Sequence, residues 1–303
     1  MGIDAVLIAG PTASGKSAAA LALAEKLNGV IVNADSMQVY REAPILTAQP
    51  SAADLARLPH RLYGHVGARE AYSVGRYSDD AAAALAEIRH AGRIPIFVGG
   101  TGLYFAALTQ GLAAIPPIPA ETRAAARALA AEIGTGALHA RLAGVDPLSA
   151  AHLRPGDTQR VLRAWEVFAA TGRPLAAWQA APAAPLLKDL RVAGFVLNPP
   201  RPLLRARIAE RFKTMLDAGG LEEAAALSGI DPGLPAAKLL GLRPLQALAA
   251  GAISREAALE AAVTATRQFA KRQMTWFRHR MPHYIWFDPS DGNIITSYED
   301  DFA

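Results

Sequence analysis

Short apolar runs alternate with helical patterns over the first hundred residues of the chain. Residues 5–9, 30–32 and 94–98 form apolar runs of strand length, and helical spacing covers residues 17–27 and 78–90. An apolar run bounded by turn residues is typical of a strand that is buried on both faces. The alternation therefore predicts an α/β fold, with a parallel sheet covered by helices on both sides.

The pattern changes after a proline-rich segment at residues 115–119, because clustered prolines break regular structure. The next strand pattern is at residues 191–197, and the interval holds only helical patterns, at residues 120–133, 136–142, 147–153 and 157–170. We therefore predict an α/β core formed by residues 1–112 and 189–303, with a helical insertion at residues 113–188. Further helices are predicted at residues 202–218, 221–228, 236–249 and 255–280, followed by an apolar run at 283–287.

A glycine-rich segment between the first predicted strand and helix carries the strongest chemical signal. It matches the phosphate-binding pattern G-x-x-x-x-G-K-[S/T] with Gly10, Pro11, Thr12, Ala13, Ser14, Gly15, Lys16 and Ser17. In such a loop the backbone N–H groups converge on phosphate oxygens, the lysine adds a positive charge and the serine hydroxyl is a Mg²⁺ ligand. The sequence thus predicts a P-loop NTPase-like sheet with Mg²⁺ as cofactor and Ser17 as its protein ligand.

The carboxylate that accompanies this loop is in an unusual place. Nucleotide-hydrolysing enzymes that contain such a loop generally hold Mg²⁺ through an aspartate at the end of another strand. Here the third predicted strand ends in residues 99–102, Gly-Gly-Thr-Gly, whereas Asp35 follows the second one. Ligands of open α/β sheets bind at this carboxyl edge, so Asp35 is a candidate catalytic group. Capping of a following helix is an equally consistent role, and a P-loop small-molecule kinase is the alternative function.

Composition and charge narrow the class of protein further. The chain has 303 residues and no cysteine, which excludes disulfides and thiol catalysis. Its apolar runs are shorter than the roughly 20 residues of a membrane span, and its start lacks the basic segment of a signal peptide, so a cytoplasmic protein without membrane contact is expected. Residues 261–287 contain no acidic side chain but several basic ones: Arg267, Lys271, Arg272, Arg278 and Arg280. This stretch is either a binding surface for a polynucleotide or a solvated helix face.

Several segments together resemble the tRNA dimethylallyltransferases, also called tRNA isopentenyltransferases. Besides the phosphate loop, the matching stretches are residues 33–40, 59–60, 98–105, 157–164 and 265–277. The strings Asp-Ser-x-Gln-Val-Tyr at 35–40 and Thr-Arg-Gln-x-Ala-Lys-Arg-Gln at 266–273 are much more specific than the phosphate loop. The chain departs from the family pattern at four positions: Leu46, Gln49, Leu242 and Pro244.

The resemblance implies transfer of a dimethylallyl group from dimethylallyl diphosphate to N6 of the adenine that is 3′-adjacent to the anticodon in tRNA. It implies that the phosphate loop binds the diphosphate and that Lys16, Asp35 and Thr101 are catalytic. The partners implied are the tRNA anticodon stem-loop and the isoprenoid diphosphate, with a monomeric enzyme. The implied tRNA contacts are Asp35, Ser36, Met37, Gln38, Thr101, Arg123, Gln159, Arg160, Val161, Leu162, Arg163, Leu240, Gly241, Leu242, Arg243, Pro244 and Leu245.

The residues alone do not decide the roles of two groups of arginines. Arg160 and Arg163 share a helix face, and together with Arg123 in the predicted insertion they favour RNA contact. Arg207 and Arg211 are consistent either with a charge at the diphosphate or with a surface position.

Overall fold

A six-stranded, wholly parallel sheet organises the structure, a computed structural model that describes residues 2–290 and 292–302, with side chains as far as Glu299. Its strands follow the spatial order β3-β2-β4-β1-β5-β6. In chain order they are β1 Ala5–Ala9, β2 Gly29–Asn33, β3 His60–Arg61, β4 Ile94–Gly99, β5 Val192–Leu197 and β6 Ile285–Phe287. The α/β class predicted from the apolar runs is confirmed.

The central strands are mainly apolar because both of their faces are buried. Every residue of β1 and β2 is buried, and β1 lies between β4 and β5. Val6 pairs with Ile96 and Ile8 with Val98. Full burial of each aliphatic side chain stabilises the fold by about 1.5–3 kcal/mol. Since the strands are parallel and in register, the carboxyl ends of β1, β2 and β4 meet at one edge of the sheet.

The helices between the first four strands differ in how well the sequence predicts them. They are α1 Lys16–Lys26, α2 Pro44–Thr47, α3 Ala52–Arg57, α4 Val74–His90 and, after β4, α5 Gly102–Thr109. The helix predicted at 78–90 begins earlier, because the Ser73 side chain accepts a hydrogen bond from the Arg76 N–H and caps it. The sequence did not predict α2, α3, β3 or α5. The first three have only two to six residues, which is too short for periodicity to show.

A second compact unit spans Thr109–Pro185, where the sequence predicts an insertion at 113–188. Its helices are α6 Ala120–Ile133, α7 Thr135–Val145, α8 Pro147–His152, α9 Thr158–Thr171 and α10 Leu175–Gln179. The four predicted helices are present, and α10 was not predicted. Its core contains Leu142, Ala150 and Ala164. Buried Asp146 accepts hydrogen bonds from the Ser149 N–H at the start of α8 and from the Ala176 N–H in α10.

The remaining helices complete the larger unit, which comprises Met1–Leu108 and Leu186–Ala303. They are α11 Arg201–Asp217, α12 Gly220–Ala226, α13 Leu242–Ala249, α14 Arg255–Arg280 and α15 Ile294–Phe302. The single helix predicted at 236–249 is wrong, because a 3₁₀ turn at Pro235–Lys238 and α13 are separated by Gly241 with φ of 81°. The long predicted helix α14 is confirmed. Within the described residues no helix combines the length and the apolar character needed to cross a membrane.

Candidate active site

The phosphate loop, residues 10–17, connects the end of β1 to the start of α1. Ala13 and Gly15 have φ values of 63° and 94°, a conformation that turns the chain tightly and favours glycine. The N-cap residue Gly15 offers no side chain to the first N–H groups of α1. Those groups therefore remain available to an anion at the positive end of the helix.

A cavity of about 130 Å³ opens beside this loop. The loop and α1 contribute Thr12, Ala13, Ser14, Gly15, Lys16, Ser17 and Ala18 to its wall. Segments that follow β2, β3 and β4, together with α11, contribute Asp35, Gln38, Thr47, Ala48, Tyr63, Val98, Gly99 and Arg211. The predicted phosphate loop and the predicted catalytic carboxylate thus face the same space.

Two cations lie in the wall of this cavity. The Nζ of Lys16 donates to the carbonyl oxygen of Pro11 at 2.7 Å. The pKa of Lys16 is lowered to about 8, chiefly by burial; the negative charge of Asp35 opposes this shift, and the positive charge of Arg211 contributes to it. The guanidinium of Arg211 donates from Nη1 to the Thr12 Oγ1 at 3.0 Å and from Nη2 to the Thr47 carbonyl at 3.2 Å. Burial also lowers the pKa of Arg211, but a guanidinium remains protonated in proteins.

The structure places both of the arginines that the sequence left open beside the phosphate loop. Arg211 lines the cavity that contains Lys16 and Asp35. The exposed Arg207 lines a neighbouring groove, and its guanidinium lies 3.9 Å from where a Cβ of Gly15 would be. Both lie on α11, one turn apart. No sequence signal distinguished them, because neither belongs to the phosphate-loop pattern.

Asp35 is fixed by its own turn rather than by a helix. The Asp35 N–H donates to Oδ1 of buried Asn33 at 2.8 Å, and the Asn33 side-chain amide donates to the carbonyl of Asp35 at 2.9 Å. The Asp35 Oδ1 accepts from the Met37 N–H at 3.0 Å. Residues 36–43 form turns and contain no helix. The helix-capping interpretation of Asp35 is thus wrong, and the carboxylate remains a candidate for chemistry.

Thr101 joins the turn after β4 to the turn after β2. Its Oγ1 accepts from the Ser36 N–H at 2.8 Å and lies 3.1 Å from the Ser36 Oγ, to which it donates. Gly99 makes this approach possible, because a side chain there would place its Cβ 2.0 Å from the carbonyl oxygen of Ala34. Thr101 therefore contacts Ser36. From this turn it is Gly99, and not Thr101, that lines the cavity.

Two further polar side chains around the cavity have distinct roles. The Gln38 side-chain amide donates to the carbonyls of Thr47 and Ala48, at 3.1 and 2.6 Å, and so holds the end of α2 against the site. Tyr63, which no sequence pattern indicated, lines the same wall. Burial raises the pKa of the Tyr63 hydroxyl above its usual range, so it is protonated at neutral pH.

The predicted RNA contacts in the second unit divide into exposed and buried side chains. Gln159, Arg160 and Arg163 are exposed and line a groove of about 970 Å³ within this unit, whereas Val161 is buried in its core. Arg160 forms an ion pair with Asp157 at 3.1 Å. Leu162 is half-buried and Arg123 is exposed. Only the two arginines of this segment, Arg160 and Arg163, present positive charge to a partner.

Residues 240–245 show the same division. Leu242 and Leu245 are buried, Leu240 and Pro244 are half-buried, and Arg243 is exposed. Pro244 lies in the first turn of α13, where a missing N–H removes no helical bond. Leu242 is a core residue, so its departure from the family pattern affects packing.

The other two departures lie beside the cavity. Leu46 is buried, and its N–H donates to the Glu223 Oε2 at 2.8 Å. The Gln49 side chain donates to the carbonyl of Tyr40 at 2.7 Å. The Leu46 side chain therefore contributes to the core, and the Gln49 side chain contributes a local hydrogen bond near α2.

The fold and the site together define a P-loop enzyme whose carboxylate follows the second strand. A family model described as IPP transferase matches residues 38–280, and one described as isopentenyl transferase matches residues 3–69. The chain belongs to this family, the tRNA dimethylallyltransferases.

Named relatives agree with the family models over most of the chain. A tRNA dimethylallyltransferase from Parvibaculum lavamentivorans is 56% identical over 295 residues, covering 97% of this chain and 93% of the relative. One from Rhodospirillum centenum is 55% identical over 288 residues, covering 94% and 92%.

Solved structures show the same likeness. A eukaryotic dimethylallyltransferase acting on tRNA superimposes with a TM-score of 0.83 at 25% identity, covering 99% of this chain and 79% of that chain. The tRNA isopentenylpyrophosphate transferase from Bacillus halodurans gives a TM-score of 0.67 at 32% identity, covering 99% and 94%.

The lowered pKa of Lys16 predicts that anion binding depends on pH. The ammonium group is charged at neutral pH and loses its charge as the pH rises through about 8. We expect the affinity for inorganic pyrophosphate to weaken over that interval by about 10- to 100-fold, the equivalent of one charge-assisted hydrogen bond. Calorimetric titration of wild type and Lys16→Arg on both sides of this pKa checks the prediction. The arginine variant is the control, because its guanidinium stays protonated; an equally steep fall in that variant contradicts the assignment to Lys16.

Proposed function

We propose that this protein transfers the dimethylallyl group of dimethylallyl diphosphate to N6 of the adenine 3′-adjacent to the anticodon in tRNA, releasing diphosphate. The observation that carries the proposal is a single cavity in which the phosphate loop, Lys16, Arg211 and Asp35 meet, in a chain of this family. Because one chain supplies all of these groups, the site needs no second copy, and we propose that the enzyme is a cytoplasmic monomer.

The leaving-group side of the cavity suits the chemistry that this transfer requires. The N6 lone pair is delocalised into the adenine ring, so N6 is a weak nucleophile, and departure of the diphosphate must be strongly favoured. The N–H groups at the start of α1 and the charges of Lys16 and Arg211 stabilise the negative charge that develops on the leaving oxygen. As the C1–O bond breaks, C1 gains cationic character and bonds to N6.

A magnesium ion fits the residues of this site. The Ser17 hydroxyl, at the start of α1, lines the same cavity as Asp35 and is the group that phosphate loops use as a metal ligand. Among the described residues no cluster of three or more His, Cys, Asp or Glu side chains could hold a metal. The Ser17 hydroxyl would hold the ion, which would neutralise charge on the leaving diphosphate when bound.

Asp35 is the acceptor for the proton that N6 releases as the new bond forms. Its Oδ1 is occupied by the Met37 N–H, and among the described residues no hydrogen bond is recorded to its Oδ2. A carboxylate oxygen can act as a general base and accept a proton. General-base assistance of this kind contributes about 10²- to 10⁴-fold in rate.

Recognition of tRNA rests on basic helix faces in each of the two units. The smaller unit presents Arg160 and Arg163 on α9, and the larger presents the exposed arginines and lysine of α14. None of the α14 side chains from Arg267 to Arg280 forms an ion pair within the described residues. Unpaired positive charge of this kind binds phosphates. The target adenine must leave the stack of the anticodon loop to enter the cavity.

The proposed reaction is tested directly with labelled substrates. Dimethylallyl diphosphate carrying a radiolabel in its prenyl group, an anticodon stem-loop with adenine 3′ to the anticodon, and Mg²⁺ are incubated with the protein. We expect label in the RNA, none when the target adenine is replaced by guanine, and negligible ATP hydrolysis in a parallel assay. Turnover of ATP without label in the RNA would favour a small-molecule kinase.

Replacing Asp35 by Asn separates proton acceptance from binding. We expect Asp35→Asn to bind pyrophosphate and RNA as wild type does, while its single-turnover transfer rate falls by about 10²- to 10⁴-fold, because an amide cannot accept the proton. The exposed Asp79→Asn is the matched control and should keep the wild-type rate. A defect that shrinks as Mg²⁺ is raised would instead assign Asp35 to the metal, and a near-normal rate would exclude the general-base role.

The contribution of α9 to RNA binding is tested by salt dependence. Replacing both Arg160 and Arg163 by Ala should weaken binding and reduce the slope of log K against log salt by up to roughly 0.7 per lost phosphate contact. Pyrophosphate affinity should stay unchanged. The control replaces Arg57 and Arg89 by Ala. Both are exposed and lie in the last turns of α3 and α4, which lead into the amino ends of β3 and β4. Equal slopes for the two double variants would contradict a role for α9.

A further inference from the structure

One buried side chain of α14 joins the two halves of the candidate active site. Gln273 is 6% exposed. Its Oε1 accepts from the Thr12 N–H of the phosphate loop at 3.1 Å, and its Nε2 donates to the carbonyl of Gly100 at 2.8 Å. A single amide therefore uses its acceptor on one strand-end turn and its donor on another.

The two residues that this amide binds, Thr12 and Gly100, lie next to the groups that we propose to react. Thr12 accepts a hydrogen bond from Arg211, the second cation of the cavity. Gly100 precedes Thr101, and a Cβ on Gly100 would lie 2.1 Å from the Gln273 Nε2 and 3.1 Å from the Asp35 Oδ2. Glycine at position 100 is thus required for the amide and the carboxylate to approach so closely. The Gln273 amide and the Asp35 carboxylate thus both lie close to the Gly100 backbone, and hydrogen bonds connect that amide through Thr12 to Arg211.

We propose that Gln273 is a positioning residue, whose amide sets the spacing between the phosphate loop and the Gly99–Thr101 turn so that C1 of the donor meets N6 of the acceptor. It touches neither substrate in this role. The proposal rests on the proposed transfer reaction, because it assigns the donor to one turn and the adenine to the other. It also gives a reason for a buried polar side chain on a helix whose other buried residues are mainly apolar.

A positioning role predicts a loss of rate without a matching loss of binding. Gln273→Met retains the length of the side chain but neither hydrogen bond. We expect its single-turnover transfer rate at saturating substrates to fall by about 10²-fold, the usual effect of small displacements in an active site. Its affinities for pyrophosphate and for the stem-loop should remain close to wild type. Gln268→Met is the matched control, since Gln268 is an exposed glutamine of the same helix.

Gln273→Glu gives a readout that a merely structural side chain would not produce. An ionised glutamate still accepts from the Thr12 N–H, but it repels the Gly100 carbonyl and the nearby Asp35 carboxylate. A protonated one can donate as the amide does, and burial beside a like charge favours protonation. We therefore expect the rate of this variant, divided by the wild-type rate at the same pH, to rise as the pH falls from about 8 to about 6. Lys16 and Arg211 are the other charged groups in the cavity wall. They are present in wild type and variant alike, so their effect on the rate cancels in the ratio of the two rates.

The outcomes separate this inference from the proposed function. Absence of transfer by wild type would reject the function itself. Wild-type transfer with an unchanged rate in Gln273→Met would overturn the positioning role alone, as would loss of pyrophosphate affinity in proportion to the rate. Thermal melting of each variant shows whether it is folded. If Gln273→Met does not fold, a pH-independent rate ratio for Gln273→Glu still overturns the inference.

Discussion

The parallel register of β1, β2 and β4 is the constraint on which the site depends. Because these strands run in the same direction, the segments that leave them emerge at one edge of the sheet. The phosphate loop follows β1, Asp35 follows β2 and the Gly99–Thr101 turn follows β4. Each strand is held by burial on both faces, so the stability of the core also fixes the spacing of the reacting groups. A shift of one strand would separate the carboxylate from the loop.

The electrostatics of the cavity favour an anionic ligand. Two cations, Lys16 and Arg211, share the wall with a single carboxylate, Asp35. Burial penalises both cations, as the lowered pKa of Lys16 shows, and neighbouring positive charges add to that cost. A bound diphosphate would relieve both effects, since it supplies the opposite charge inside a poorly hydrated space. Burial of positive charges close together thus lowers the pKa of Lys16 and also favours the proposed binding of the diphosphate.

Close backbone approach gives the site its precision. Glycines at positions 99 and 100 allow the turn after β4 to contact the Ala34 backbone, the Gln273 amide and the Asp35 side chain. Hydrogen bonds from Asn33, Ser36 and Gln273 then hold the turns in place. Such preorganisation matters for a weak nucleophile, because small displacements of reacting atoms reduce rates strongly. Hydrogen-bonded turns thus lie around the proposed point of transfer, together with the side chains of Lys16 and Arg211.

The sequence alone determined the features that depend on neighbouring residues in the chain. The phosphate loop, the central strands and α14 follow from local pattern, and the family follows from strings such as residues 35–40. Tertiary structure decided which distant side chains join them: Arg211 rather than Arg207, and Gln273 from a helix far along the chain. It also ruled out a helix cap at Asp35, divided the helix predicted at 236–249 at Gly241, and buried Val161 and Leu242. Periodicity reports the burial of a helix face, but only packing determines which residues from separate elements meet.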